Sequence, residues 1–276
     1  MTGGTSIALA LGGGSARGLA HILMLEAFDE LGIKPVAIAG TSIGSVVGGL
    51  YAAGLDARAV RAYAEEMLAR RSEVFRRIAG SFEGLSSLWS PRSPSVVDGV
   101  TLFELLLPPA LRCDFHSLQI PFTAIATDFH AMSEVRITHG PVIPALAASC
   151  CLPSLFRPVT LAGRVLLDGG FVNPTPWDVV AEAAATVVAV DVTGTTTQAG
   201  EGALPSPVEA WIGAMQILFH SISREKLKSI APALLIRPAV GGYGTFDFLK
   251  YREIFAAAEP AKDELKRGLE RIIRHG

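Results

Sequence analysis

A serine between glycines is the feature of this sequence that most directly suggests chemistry. Residues 40–44 read Gly-Thr-Ser-Ile-Gly and match the pattern Gly-x-Ser-x-Gly, with Ser42 at the centre. A serine on a sharp turn from strand to helix needs small neighbours, and such a turn exposes its hydroxyl. The following helix would point its N–H groups at the same place and favour a developing anion. We therefore predict Ser42 as a nucleophile, with Gly40 and Gly44 supporting the turn; the alternative is a glycine-rich turn with an incidental serine.

A second glycine-rich turn precedes it, at residues 12–18. It is not a P-loop, because Leu19 rather than lysine follows Gly18. A dinucleotide-binding turn stays open, although the glycine spacing differs and the acid expected after the second strand is missing. Consecutive small residues can also expose backbone N–H groups at the start of a helix, as in an oxyanion hole. We favour the oxyanion hole over a dinucleotide site or a plain turn.

The elements around these turns alternate between strand and helix. Residues 7–11 and 35–39 are short apolar runs, and each is followed by its glycine-rich turn and then by a helical pattern. Strand–turn–helix twice in succession begins a parallel sheet. We predict an α/β fold with a central, mainly parallel sheet flanked by helices. Further strands are expected at 120–127, 134–138, 186–191 and 233–237, and long helices at 207–228 and 246–274.

The segment 80–110 contains glycine, serine and proline without a stable period over much of its length. It separates two ordered halves, yet it does not have the composition of a domain linker. We therefore predict one domain over residues 1–276, with 80–110 as a candidate lid or flap.

Composition narrows the functional classes. The 276 residues are 50% apolar and 18% charged, the formal net charge is −2, and the mean hydropathy is +0.40. A nucleic-acid partner is not expected, because phosphate binding needs a basic surface. The high hydropathy indicates an Ala/Val/Leu-rich core or an apolar face that meets lipid. The sequence does not indicate an oligomeric state.

Location and cofactors are also constrained. No window has the roughly 20 apolar residues of a membrane-spanning helix, and no basic segment precedes the first apolar run, as a signal peptide would require. The three cysteines include the adjacent pair Cys150 and Cys151, and no His/Cys spacing suggests a metal site. We expect a cytoplasmic protein without a metal or cofactor, with contact at the inner membrane surface as a further expectation.

Asp168 follows the apolar residues 165–167 and precedes two glycines, Gly169 and Gly170. Glycine here permits a tight turn and close approach to another backbone. Taken alone, this pattern is an ordinary Asp-Gly turn.

Together these features resemble the patatin-like phospholipase family. The matching segments lie in the family's order within the core region 7–192: residues 13–18 with His21, residues 40–44, 126–128 and 148–153, and residues 168–170 with Asn173 and Pro176. The resemblance implies a patatin-like three-layer sandwich and an acyl-ester hydrolase that uses a Ser–Asp dyad. Typical substrates would be phospholipids or lysophospholipids.

The resemblance also implies individual roles. Ser42 would attack the ester carbonyl, Asp168 would accept and return its proton, and the N–H groups of Gly13, Gly14 and Ser15 would hold the oxyanion. The family commonly has glycine at the position of Ser15, and the oxyanion hole would be weaker if Ser15 cannot adopt the required backbone angles. A free aspartate has a pKa near 3.9 and is a weak base at neutral pH, so we expect burial to raise the pKa of Asp168.

Several neighbouring residues have two interpretations. Gly169 would support the Asp168 turn, and Arg17 either anchors the glycine loop or meets a lipid phosphate. His21 is read as structural support for the loop. On the helix at 207–228, apolar side chains are interpreted as core or a packing stripe, with a membrane-facing surface as the alternative. These are Trp211, Met215, Leu218 and Phe219.

One rival mechanism and two rival functions remain at the level of sequence. A Ser–His–Asp triad with His220 or His275 is allowed by chain order, but His220 lies in a helical pattern and His275 is next to the last residue. A regulatory protein that binds lipid or a partner with little turnover would keep the fold. Acyl transfer to an alcohol other than water would use the same serine.

Overall fold

The sheet and helices follow the alternation that the sequence predicts. In a computed structural model, which describes residues 6–69, 98–153, 155–193, 204 and 207–275, eight strands form one sheet. The strands are β1 Ile7–Leu11, β2 Ala37–Thr41, β3 Phe122–Asp128, β4 Ser133–Ile137, β5 Val159–Leu161, β6 Arg164–Asp168, β7 Thr186–Val190 and β8 Leu234–Ile236. The α-helices are α1 Ala20–Glu30, α2 Ile43–Ala52, α3 Ala57–Ala69, α4 Gly99–Leu106, α5 Val142–Ser149, α6 Pro207–Lys226 and α7 Tyr251–His275.

Strand order confirms the mainly parallel sheet. The order is β5-β6-β3-β2-β1-β7-β8, with β4 paired to β3 outside this path. Strand β1 pairs in parallel with both β2 and β7, and β3 and β8 extend this parallel set. The hairpin β5–β6 is joined to β3 by antiparallel pairing. The two glycine-rich turns therefore follow neighbouring strands at one edge of the sheet, where open α/β sheets bind ligands.

Side chains alternate between the two faces of the central strands. In β1, Ile7, Leu9 and Leu11 join the large core, whereas Ala8 and Ala10 join a smaller core on the opposite face. Such alternation is the normal consequence of strand geometry. The large core is covered by α1, α2 and α7 among other elements, and the small one by the segment containing Trp177 and Val180. The sheet is therefore covered on both faces.

Antiparallel β6 brings Asp168 to the edge where β2 ends. Asp168 pairs with Ala126 of β3, and Thr41 at the end of β2 pairs with Ile125 of the same strand. Asp168 and the residue after Thr41 therefore flank β3 from its two sides. The preceding turn of the β5–β6 hairpin uses two positive φ angles, at Ala162 (49°) and Gly163 (75°), as tight hairpin turns require.

The candidate lid lies only partly within the described residues. Residues 98–110 contain α4 and the start of a short 3-10 helix, Pro109–Leu111. Their side chains line a cavity with Arg112 and Asp114, not the cavity beside Ser42. Residues 80–97 lie outside the described residues. Of the helices that the structure describes, none is both long and apolar enough to cross a membrane.

Close packing of α2 against β1 depends on glycine. A Cβ atom at Gly44 would overlap the carbonyl oxygens of Leu11 and Gly12, and one at Gly40 would lie 2.5 Å from the Gly44 oxygen. Real Cβ atoms do not approach backbone oxygens so closely. Glycine at position 44 therefore lets α2 pack against the end of β1, and glycine at position 40 lets the turn close on the start of α2.

We expect Gly44→Ala to lower the free energy of unfolding by at least about 2 kcal/mol, because backbone atoms must shift to admit the methyl group. Gly49→Ala in the same helix is the matched control, since its Cβ would lie an ordinary 3.5 Å from the Leu146 side chain. The control should be neutral or gain about 0.5–1 kcal/mol from helix propensity. Urea unfolding measures both; equal stability of the two variants would contradict this packing.

Candidate active site

Ser42 occupies a strained turn between β2 and α2. Its backbone angles are φ 53° and ψ −126°, a region that residues other than glycine rarely adopt and that costs about 1–3 kcal/mol. Its carbonyl oxygen accepts hydrogen bonds from the N–H groups of Ser45 (2.8 Å) and Val46 (3.3 Å). Its own N–H donates to Oγ of the buried Ser149 at 2.9 Å. These contacts hold the strained turn from both sides.

The Ser42 hydroxyl donates directly to Asp168. The distance from Ser42 Oγ to Asp168 Oδ2 is 2.7 Å, and both side chains are buried. The second carboxylate oxygen, Oδ1, accepts the N–H of Gly170 at 2.8 Å. The main chain of Asp168 is also held, since its N–H donates to Cys151 O and its carbonyl accepts the Thr127 hydroxyl at 2.7 Å. The carboxylate is therefore fixed in orientation.

Gly169 allows β6 to end against β3. A Cβ atom at Gly169 would overlap the carbonyl oxygen of Ile125. A larger residue would push the turn away from β3 and move the preceding Asp168 with it. This is the physical reason for glycine directly after the acid.

Burial changes the acidity of Asp168. Desolvation raises the pKa of its carboxyl from 3.8 to about 6, although hydrogen bonds from Gly170 N–H and Ser42 oppose the shift. Burial disfavours the charged form, because water no longer solvates it. Part of the difficulty that a free aspartate presents as a base at neutral pH is therefore removed by its environment.

The glycine-rich loop lies against the same site, with its three predicted donors in different states. The Gly13 N–H donates to Pro174 O at 2.8 Å, so it is already engaged. Within the described part of the chain, no hydrogen bond uses the N–H of Gly14 or Ser15. Both residues line the cavity beside Ser42. This reduces the predicted trio to two available donors, Gly14 and Ser15.

Ser15 adopts a conformation that favours glycine. Its φ is 51°, in the left-handed region, where a side chain adds strain. Gly14 has an extended φ of 173°, but a Cβ atom there would lie 2.5 Å from Val192 O. The loop therefore needs glycine at position 14 for space, while Ser15 is accommodated with strain.

Arg17 and His21 hold the loop from behind. The buried Arg17 guanidinium donates to the carbonyl oxygens of Val192 (3.1 Å) and Tyr243 (2.9 Å), which favours the anchoring interpretation. His21 Nε2 lies 2.7 Å from Gly12 O, and complete burial lowers the pKa of His21 to about 4. His21 is thus a neutral support for the loop at physiological pH.

A histidine does not take part in the serine–aspartate contact. In the described residues, no histidine side chain hydrogen-bonds to Ser42 or Asp168. His220 is exposed on α6. In a triad, an imidazole would lie between the serine and the carboxylate. Here the Ser42 hydroxyl is bonded directly to Asp168 Oδ2. The geometry therefore favours the dyad over the Ser–His–Asp alternative.

Helix α6 forms the cover of the site. The cavity beside Ser42 and Asp168 has a volume of about 30 Å³. Four side chains of α6 line it: Ile212, Met215, Gln216 and Phe219. The apolar pattern on this helix is therefore divided, because Met215 and Phe219 face the site whereas Trp211 and Leu218 are exposed.

A polar cluster fastens the segment after Asp168. The carbonyl of Asn173 accepts the Thr41 hydroxyl at 2.7 Å, and its side-chain amide donates to Glu134 (2.6 Å) and Asp178 (3.0 Å). Lys226, at the end of α6, donates to Asn173 Oδ1 and to Asp178 Oδ1 (2.6 Å). The cluster thus ties the end of β2, the segment after Asp168 and α6 together.

Sequence reasoning missed two parts of this site. The family resemblance assigns no role to the segment 148–153, whereas in the structure its Ser149 Oγ accepts the hydrogen bond from the Ser42 N–H. The covering face of α6 was also missed, although Ile212, Met215 and Phe219 follow the spacing of one helix face. The motif at 148–153 and the apolar spacing on α6 can be read from the sequence, but neither shows which part of the protein the side chains contact.

We expect Asp168→Asn to stabilise the fold above pH 6. The folded pKa of about 6 exceeds the ordinary 3.8, so the wild type loses stability as pH rises through this window and retains it below pH 4. The asparagine variant lacks this penalty, and its advantage in free energy of unfolding should reach up to about 3 kcal/mol at pH 8. Urea unfolding at pH 4 and pH 8 measures it.

Asp178→Asn is the control with opposite sign. Burial opposes ionisation of Asp178, but Lys226 holds the pKa of this carboxyl below its ordinary value. Its ionised form therefore stabilises the fold at neutral pH, and this contribution is lost as pH falls through the lowered pKa. Asp178→Asn should destabilise at pH 8. An Asp168→Asn variant less stable than wild type at pH 8 would contradict the expectation for the dyad.

Comparison with known proteins identifies the family. The family model described as Patatin-like phospholipase matches residues 9–181. An uncharacterized NTE family protein of Mycobacterium tuberculosis (strain H37Rv) is 36% identical over 211 residues, covering 76% of this chain and 55% of the relative. The lysophospholipase NTE1 of Coccidioides immitis is 30% identical over 274 residues, covering 91% of this chain and 17% of the relative. This chain thus spans about half the length of the mycobacterial relative.

Solved structures support the fold. Human GIVD cytosolic phospholipase A2 is similar with a TM-score of 0.51 and 13% identity, covering 99% of this chain and 61% of that chain. At this identity the likeness concerns the fold alone. The family match covers more than half of the sequence and includes both Ser42 and Asp168. The chain belongs to the patatin-like phospholipase family.

Proposed function

We propose that this protein is a lipid acyl-ester hydrolase in which Ser42 and Asp168 act as a catalytic dyad. The observation that carries the proposal is the 2.7 Å hydrogen bond from Ser42 Oγ to a buried, oriented carboxylate. A nucleophile needs an adjacent base within hydrogen-bond reach. The strained turn at Ser42 and the two available N–H groups of the glycine loop supply the remaining parts of an acyl-transfer site.

In the first half-reaction, Ser42 Oγ attacks the ester carbonyl carbon while its proton passes to Asp168 Oδ2. The carbonyl oxygen becomes an oxyanion, which the N–H groups of Gly14 and Ser15 stabilise together with the N-terminal end of α2. The tetrahedral intermediate then collapses, and the bond to the leaving alkoxide breaks. Asp168 returns its proton to that oxygen, so an alcohol leaves and the acyl group stays on Ser42.

In the second half-reaction, water takes the position of the departed alcohol. Asp168, again ionised, accepts a proton from water as its oxygen attacks the acyl carbon. The same N–H groups hold the second oxyanion. Collapse releases the carboxylic acid, and the proton on Asp168 returns to Ser42 Oγ. Every proton in the two half-reactions is accounted for by Ser42, Asp168, water and the leaving alcohol, without a histidine or a cofactor.

The names of relatives and the lining of the site support a proposal for the substrate class. The Coccidioides relative is named as a lysophospholipase, and the side chains of α6 that face Ser42 are mainly apolar. Both favour a fatty-acyl ester such as a phospholipid or lysophospholipid. Because such substrates reside in membranes or micelles, the proposal includes peripheral contact with a lipid surface, in the cytoplasm at the inner membrane.

We expect a fluorophosphonate probe to label the wild type on Ser42, because the probe reports an activated serine. Ser42→Ala should abolish labelling, and Asp168→Asn should slow it by about 10²–10⁴-fold, the usual contribution of a general base. His220→Ala is the control and should label within about twofold of wild type. The readout is labelling rate by intact mass. Wild type that is folded and stays unlabelled even with phosphatidylcholine vesicles present would favour a binding protein, and an inert His220→Ala would favour the triad.

The pH dependence of kcat/KM tests the role of Asp168 separately. Only its ionised form accepts the serine proton, so activity should rise with pH through an acid limb near 6. Hydrolysis of p-nitrophenyl esters between pH 4 and pH 9 measures this profile. A limb near pH 4 would mean that burial does not tune this carboxylate and would count against the proposed base.

A further inference from the structure

Helix α6 closes the site too tightly for an ester to enter. The cavity beneath it measures about 30 Å³, whereas pockets for drug-sized ligands measure about 300–1,000 Å³. The side chains of Ile212, Met215 and Phe219 line this cavity together with Ser42. A fatty-acyl ester needs more room than this cavity offers, and α6 supplies four of the thirteen residues that line it.

The two parts of α6 are attached to the protein in different ways. Its end is fixed by Lys226, which donates to Thr175 O and Asp178 Oδ1, both at 2.6 Å, and stacks over the Trp177 ring at 4.1 Å. The middle is held by apolar contacts, such as the edge contact between Phe219 and Phe171 with centroids 5.4 Å apart. The anchored end is therefore suited to act as the pivot.

In the described structure, the polar side-chain contacts in the middle of α6 are those of Gln216. Its amide lies 3.2 Å from Thr245 Oγ1, and with the amide turned its oxygen accepts from Arg17 Nη1 and Nη2, each at 3.1 Å. Residues 210–223 contain no aspartate, glutamate, lysine or arginine. No ion pair through those side-chain types can therefore hold this part of the helix in place.

The outer face of α6 is apolar as well. Trp211, Ile217 and Leu218 are 38%, 60% and 53% exposed. A helix on the surface of a soluble protein normally has charged residues on its outer face. Residues 210–223 contain no aspartate, glutamate, lysine or arginine that could lie there. The helix is thus apolar on the face toward Ser42 and on much of the face away from it.

A second segment bordering the cavity is also apolar toward solvent. Phe246 and Leu249 are 54% and 56% exposed, and Thr245 beside them lines the Ser42 cavity. The five exposed side chains Trp211, Ile217, Leu218, Phe246 and Leu249 are named here the outer apolar surface. They lie on two segments that both line the cavity and that meet where Gln216 contacts Thr245. Exposed apolar side chains grouped on such segments mark interaction surfaces.

We infer that the outer apolar surface docks onto a lipid surface and that docking moves α6 away from Ser42. The inference rests on the proposed function, because a lipid ester must come from such a surface. Insertion of Trp211, Ile217 and Leu218 among lipid chains removes apolar area from water. Displacement of α6 turns its inner apolar residues toward the entering acyl chain. The same helix, which has no aspartate, glutamate, lysine or arginine over residues 210–223, then takes part in recognising the lipid surface and opens the path from it.

Binding is tested without catalysis. Full-length Ser42→Ala protein should co-sediment with phosphatidylcholine vesicles, and adding Ile217→Ser with Leu218→Ser should weaken vesicle affinity by at least about tenfold, because two inserted apolar side chains are lost. Ile273→Ser is the matched control, since Ile273 is 51% exposed on α7, and it should bind like the parent. Circular dichroism verifies folding. Equal vesicle affinity of the double variant and the parent would overturn the inference.

Opening is tested by the rate of fluorophosphonate labelling with Ser42 intact. Phosphatidylcholine vesicles should raise the wild-type rate by at least about tenfold, should raise that of Ile273→Ser equally, and should leave that of the double variant almost unchanged. Vesicle binding without faster labelling would overturn the opening step. A chain that labels but does not bind vesicles keeps the proposed function and loses the docking surface; one that binds but never labels does the reverse.

A second copy of the chain is the competing occupant of the outer apolar surface. Sedimentation velocity distinguishes it, because a self-associating surface gives a wild-type dimer that dissociates in the double variant. That result would overturn lipid docking. A wild type whose mass in solution matches that of the double variant supports it.

Discussion

The burial of a carboxylate against a serine hydroxyl is the constraint on which the rest of this structure depends. Desolvation alone would favour the protonated form of Asp168 strongly, and the hydrogen bonds from Gly170 N–H and Ser42 Oγ limit that effect. The result is an acid that titrates near 6 rather than near 4. The same burial that destabilises the ionised fold gives the proposed base its strength, so stability and reactivity oppose each other at this residue.

Close approaches of the backbone at three glycines bring Ser42 and Asp168 into contact. Gly44 lets α2 approach the end of β1, Gly169 lets β6 end against β3, and Gly14 fits beside Val192 O. At each position a methyl group would meet a main-chain oxygen, which cannot rotate away as a side chain can. Three close contacts between backbone segments therefore lie around Ser42 and Asp168. Ser15 and Ser42 lie at the same place with positive φ angles, so strain is concentrated where the proposed chemistry occurs.

Helix α6 links this site to the surface of the protein. It supplies the cover above Ser42, and through Lys226 it shares a polar cluster with Asn173 and Asp178, which follow Asp168 in the chain. Its uncharged middle and its fixed end give it unequal attachment along its length. In the proposed hydrolase, α6 then controls access to the reactive serine and also supplies three of the five side chains that dock onto a lipid surface.

The sequence by itself determined the elements and the local turns. Strand length, helical recurrence and glycine placement predicted the mainly parallel sheet, the Ser42 turn and the support from His21, because these depend on neighbours in the chain. Contacts between distant segments were decided only by the tertiary structure. Examples are the occupied N–H of Gly13, the bond from Ser42 N–H to Ser149 Oγ, and the position of α6 over the site. A local pattern specifies which face of an element is apolar but not what covers it, and the raised pKa of Asp168 follows from that covering.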